Sequence, residues 1–136
     1  MLFFLFLLQL TADALYHLGM LLRNGRGVKY DPRRAASTWI ASGVLAHGHA
    51  QNNLGLLLST GEGLAKNETT AVAFYALAAE RGMESAMFNL GNMLAAGRGV
   101  AKNEFAAVVH WLSSAAAVRI IIESKCRIGS FSHYII

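Results

Sequence analysis

The chain is poor in the residues on which small metal-binding, disulfide-stapled or catalytic proteins depend. Its 136 residues contain one cysteine, Cys126, and one proline, Pro32, and only 15% are charged. A single cysteine excludes an intrachain disulfide framework and any multi-cysteine metal site. A lone proline, with 54% hydrophobic residues, is not the composition of a disordered or linker-rich chain. There is no run of five basic residues, no Gly-Lys-Ser/Thr phosphate loop and no third glycine to complete a dinucleotide fingerprint. Nucleotide and specific nucleic-acid binding therefore have no support. From Met1 to Leu10 only Gln9 is polar, but that run is far short of the roughly 20 residues needed to cross a bilayer.

What is present is repetition. Leu-Gly occurs at Leu18-Gly19, Leu54-Gly55 and Leu90-Gly91, and Gly-x-Gly ends at Gly27, Gly63 and Gly99, each 36 residues apart. A fixed period in this range marks a solenoid, in which each unit leaves an apolar face that the next unit covers. The same offset carries Ala14, Ala50 and Ala86, then Leu22, Leu58 and Leu94, then Asp31, Asn67 and Asn103, then Trp39, Tyr75 and Trp111. Three units result, 14–49, 50–85 and 86–117, between an apolar segment 1–13 and an irregular tail 118–136.

Each unit reads as helix A, a glycine turn and helix B. Helix A is predicted over Ala14 to Leu22, Gln51 to Ser59 and Ser85 to Ala95, with its leucines at i, i+4. Gly19, Gly55 and Gly91 lie inside it. Glycine within a helix costs about 1 kcal/mol against alanine, so three at one register imply close approach of helix B or an aromatic ring on it. Asp31, Asn67 and Asn103 are preferred N-cap residues for helix B, with Pro32, Glu68 and Glu104 in its first turn.

These residues, together with a small-residue pair such as Ala78-Ala79, resemble the Sel-1-like repeat, a relative of the tetratricopeptide repeat. The resemblance implies an all-α, right-handed αα-superhelix that acts as a non-enzymatic adaptor between proteins, without cofactor or metal. Its alternative form is a regulatory repeat domain of a larger enzyme, or of a membrane or ER-luminal degradation adaptor, present as a fragment. The first unit departs from the pattern: its small pair is Ser42-Gly43, and the helix-ending glycine found at Gly82 is displaced to Gly48. A family branch that ties each repeat with a cysteine pair is disfavoured by the single Cys126.

A partner protein or peptide would meet helix A positions that face away from helix B: His17, Asn53 and Asn89 at one register, and Met20, Leu56 and Asn92 one turn on. Amide side chains both donate and accept, so a row of them can hold an extended peptide backbone. In the related tetratricopeptide grooves an asparagine two residues before the helix-A glycine does this, and Asn53 and Asn89 stand there.

Other candidate chemistry has a plainer reading. His47-x-His49 lacks further ligands at metal spacing and reads as a helix end and linker. Cys126 with His110 or His133 falls where no repeat fixes its geometry. Asn67-Glu68-Thr69 is a glycosylation sequon in an exposed turn, yet capping explains Asn67 equally. The net charge of +4 is concentrated in unit one, on Arg23, Arg26, Lys29, Arg33 and Arg34. Segment 1–13 is open between a leader or anchor and a packed or partial upstream helix, because Ala12-Asp13-Ala14 has the form of a cleavage site but no basic residue precedes the run. The compartment is left open by the sequence between cytoplasmic and, where residues 1–13 act as a leader, secretory or ER-luminal. Residues 118–136 either extend helix B, fold back as a cap or form an extraneous tail.

Overall fold

Left-handed glycines set the boundaries of this fold. The computed structural model describes the backbone of residues 1–127 and the side chains of residues 1–115 and 123. Six helices occupy them: α1 Leu2–Asn24, α2 Pro32–Val44, α3 Gly48–Thr60, α4 Glu68–Glu80, α5 Glu84–Ala96 and α6 Glu104–Arg127. Each helix A (α1, α3, α5) ends at a glycine with positive φ, Gly25 at 65°, Gly61 at 78° and Gly97 at 66°, a conformation that costs glycine nothing. Each helix B starts at its expected cap: the side chains of Asp31, Asn67 and Asn103 accept the backbone N–H of Arg34, Thr70 and Ala106 at 3.1, 3.0 and 2.9 Å. The packed pairs are successive helices, α1·α2 through α5·α6, which makes an open all-α repeat solenoid.

The helix-A glycines meet aromatic rings of helix B. A Cβ on Gly19 would lie 2.5 Å from Trp39 Cδ1, one on Gly55 2.7 Å from Tyr75 Cε1, and one on Gly91 2.5 Å from Trp111 Nε1. Those distances leave no room for any side chain. Trp39 is fully buried, and its indole N–H, passing through the space Gly19 leaves, donates to the Tyr16 carbonyl at 3.0 Å. At the far end of the hairpin Ser42 donates to the Ala12 carbonyl at 2.7 Å, and Ser114 repeats this on Glu84 at 3.1 Å.

The second turn glycine locks one unit to the previous one. A Cβ on Gly63 would lie 2.5 Å from the Pro32 carbonyl oxygen, and one on Gly99 would overlap the Glu68 carbonyl. Between these locks lie two apolar clusters. In the first, Leu54 and Leu57 of α3 pack with Ala36 and Trp39 of α2; in the second, Leu90 and Met93 of α5 pack with Ala71 and Tyr75 of α4.

Three local features differ from the expectations. Helix A starts earlier, at Gly48, where the His47 side chain caps the helix by accepting the Ala50 N–H, and at Glu84, where the N-cap Met83 makes no side-chain bond. Nothing between Leu2 and Leu18 breaks a helix, so the apolar segment and the first helix A are one 23-residue helix. That helix is long and apolar enough to cross a membrane by length and composition, although the apolar run alone is not. The end of α2 is not displaced to Gly48: Ala46 takes φ 66° at the register where Gly82 has φ 81°, and α2 and α4 are both 13 residues long at the same repeat positions. Gly48 opens α3 instead, where a Cβ would lie 2.9 Å from Met83 Sδ. α6 runs on to Arg127 through Ile120-Ile121-Ile122.

Candidate partner-binding face

Helix A in each unit turns one face to helix B and another away from it, and the away-facing positions of neighbouring units come together. Asn53 of α3 is half-buried, with its amide nitrogen 3.6 Å from Met20 Sδ of α1. Asn89 of α5 is likewise half-buried and donates to Asn52 Oδ1 of α3 at 3.2 Å. Each therefore commits one N–H of its amide to the preceding unit. Among the described residues Oδ1 of Asn53 and of Asn89 has no hydrogen-bond partner. Met20 packs against the first core cluster, Leu56 is half-buried, and His17 is exposed with its ring edge-on to Tyr16 at 5.2 Å.

Asn92 is placed differently. It is exposed, but its Oδ1 accepts the Trp111 indole N–H at 3.2 Å, so it holds its own helix B and keeps only its NH2 free. Sequence reasoning missed Asn52, which shares the row; the adjacent pair Asn52-Asn53 was the available signal.

At the unit-one end of the row is an aromatic cluster. Tyr16 stacks on His47 with ring centroids 4.8 Å apart, and His49 lies 5.6 Å from the same tyrosine. Nδ1 of His47 accepts the Ala50 N–H at 3.3 Å while Nε2 lies 3.0 Å from Asp13 Oδ1. Both contacts are satisfied by neutral imidazole protonated on Nε2. Burial holds the His47 pKa below its ordinary value; the Asp13 carboxylate pulls it up, while His49 and His17 push it down again. Among the described residues no group of three or more His, Cys, Asp or Glu is arranged to hold a metal ion. The side chain of Cys126 and the whole of His133 lie outside the described residues.

Charges in the turns tie units together. Arg23 meets Glu62 at 3.0 Å, and Tyr30 donates to the same carboxylate at 3.1 Å. The Arg23 guanidinium holds the Glu62 carboxyl below its usual range. Part of the basic patch of unit one is thus neutralised by unit two, while Arg26, Lys29, Arg33 and Arg34 stay exposed. Asn67 is exposed at the start of α4, its Oδ1 engaged as a cap.

A family model described as Sel1 repeat matches residues 12–37, 48–83 and 84–117. The last two matches begin where α3 and α5 begin. No curated protein matches the chain. Among solved structures it is similar to a Sel1 repeat protein from Oxalobacter formigenes, at 30% identity and TM-score 0.75 over 77% of this chain and 43% of that one. It is also similar to a protective antigen of uropathogenic Escherichia coli strains displaying an SLR fold, at 28% identity and TM-score 0.77 over 78% of this chain and 23% of that one. The cysteine-rich protein B of Helicobacter pylori shares the fold, at 21% identity and TM-score 0.64 over 91% of this chain and 86% of that one. The chain spans less than half the length of the first two proteins.

Proposed function

Since the chain belongs to the Sel1 repeat family, whose members generally serve as protein-interaction scaffolds, we propose that its helix-A face holds an extended segment of a protein or peptide partner. The observation that carries this reading is the pair of acceptors, Oδ1 of Asn53 and of Asn89, unpartnered among the described residues, on half-buried amides each held by one N–H on the neighbouring unit. Fixing one edge of an amide removes rotamer freedom in advance, which lowers the cost of binding a backbone N–H with the other. Met20 and Leu56 provide apolar contact alongside, and His17 and the NH2 of Asn92 extend the row at its two ends. The role is non-catalytic.

The test is selection of extended peptides from a random display library on the whole chain, followed by affinity measurement on Asn53→Ala/Asn89→Ala. The double variant keeps its helicity and loses affinity by a factor of about five or more, on the order of 0.5–1.5 kcal/mol for each hydrogen bond. Undiminished affinity refutes the assignment of the face.

A second reading, a membrane-tethered adaptor, is favoured by α1, which has the length and composition of a membrane span. Alkaline extraction of membranes carrying a tagged chain, with a glycan shift at Asn67, distinguishes it from the free scaffold.

A further inference from the structure

Each internal junction buries one set of helix-A positions against the preceding helix B, and α1 leaves that same set bare. Leu54 and Leu57 are 1% and 0% exposed; their counterparts Leu18 and Leu21 are 39% and 43% exposed. Ala14 is exposed where Ala50 and Ala86 are fully buried. With exposed Phe3, Leu7 and Leu10 these residues form one stripe at steps of three and four along α1. The other end of the array is its counterpart. Val108 and Leu112 of α6 are 45% and 64% exposed, and Val108 stands at the register of buried Ala36, on which the next helix A closes.

The polar groups correspond as well. At the α4–α5 junction Arg98 donates to Glu68 at 2.8 Å, Lys66 lies 3.5 Å from that carboxylate, and Gly99 sits on the Glu68 carbonyl. One period outward the same set is divided between the two ends. Lys102 lies 2.9 Å from Glu104 on α6, whereas Arg26 and Gly27 are in the first turn. Gly27 has nothing within 4 Å, and Arg26 has no ion-pair partner among the described residues.

Helix lengths match too. By register with Gly48 and Glu84, α1 would begin at Ala12, but it begins at Leu2; by register with Glu80, α6 would end at Ala116, but it ends at Arg127. Each overhangs by about three turns. The Ser42–Ala12 and Ser114–Glu84 contacts put the end of helix B beside the start of helix A, so both overhangs project from the same side of the array.

We propose that the chain self-associates head to tail: the α1 face of one copy closes on the α6 face of another and repeats the α4–α5 junction, with Arg26 of one copy on Glu104 of the other. A second copy is the occupant because it brings the apolar stripe, the acidic helix start and the matching overhang in one register, continuous with a junction already made inside the chain. The two faces differ, so the contact is heterologous and builds open stacks instead of a closed pair. This inference uses none of the residues of the peptide-binding reading and stands apart from it.

The test uses the full chain in light scattering over a concentration series, where mass rises above that of a monomer. Leu18→Glu/Leu21→Glu spoils one face and Val108→Glu/Leu112→Glu the other; all four positions are exposed, and circular dichroism checks that helicity is retained. Each variant alone is a monomer, and an equimolar mixture gives a dimer, since one sound face of each kind remains. Arg26→Glu or Glu104→Arg weakens association tenfold or more, and combining both restores it. A wild-type monomer at every concentration overturns the proposal, as does a mixture that stays monomeric. So does flotation of the chain with phosphatidylcholine vesicles without self-association, which would assign the α1 stripe to a bilayer.

Discussion

Gly91 shows how far one hydrogen atom in place of a methyl group controls packing. Trp111 Nε1 lies 2.5 Å from where its Cβ would be, with the Ala107 carbonyl oxygen at 3.2 Å, so helix A and helix B of unit three touch through that gap. Gly91→Leu must push the two helices apart, at a cost of about 1–3 kcal/mol from overpacking. The urea unfolding midpoint falls accordingly, and an unchanged midpoint would contradict the contact. This residue-scale device was legible in the sequence because glycine inside a helix is costly and recurred at one register. Ala46 was not legible. An alanine with φ 66° is the same letter as a helical alanine, and only the position of Gly82 one period on reveals the left-handed turn it makes. Gln51 was equally silent: it is buried, donates to the Gly43 carbonyl at 3.2 Å and leaves Oε1 unpartnered.

For the helices, the caps were readable and the lengths were not. Asp31, Asn67 and Asn103 announce helix B through side chains that satisfy free N–H groups, whereas α1 and α6 run beyond the repeat because no breaker stops them. His47 was read as part of a linker, since histidine is an uncommon cap. It makes α3 sensitive to pH. The folded-state pKa of His47 is lowered, so its contribution to stability is present above the ordinary histidine value of about 6.5 and is lost as pH falls through the lowered folded-state value. Protonation at Nδ1 removes the acceptor for the Ala50 N–H and puts a cation at a helix start, while Asp13 opposes this and His17 and His49 reinforce it. The wild-type chain therefore loses stability as pH falls below about 6.5, by about 1 kcal/mol for the cap. His47→Asn, which caps without titrating, flattens that slope in denaturant titrations; an unaltered slope would place the effect elsewhere.

Across the whole molecule, stability follows position in the array. Units two and one meet along α2·α3, and units two and three along α4·α5, so among the described residues only the middle unit is covered on both sides. Nearest-neighbour coupling then makes α3 and α4 the last to open. Hydrogen exchange of the monomer, at concentrations below those of any stacking, should show amides of α3 and α4 slower than those of α1 and α6, and equal protection throughout in that monomer would contradict nearest-neighbour coupling. The period alone was enough to read this arrangement. The identity of the binding face was only partly readable, because the row of amides is a sequence pattern but the partner each amide takes depends on which side chain the next unit places beside it.

The clasp of Gly63 on the Pro32 carbonyl, repeated by Gly99 on Glu68, has a consequence for how such a chain can change in length. Excising residues 50–85 would bring Gly99 onto Pro32 and recreate a sound join, and duplicating them would insert another of the same kind. Loss of one or two residues between Pro32 and Gly63 would instead set the Cβ of Leu64 or Ala65 against that carbonyl. The array can therefore grow by whole modules with every join kept, whereas loss of a module keeps the join but leaves two units, below the roughly three that a stable solenoid needs.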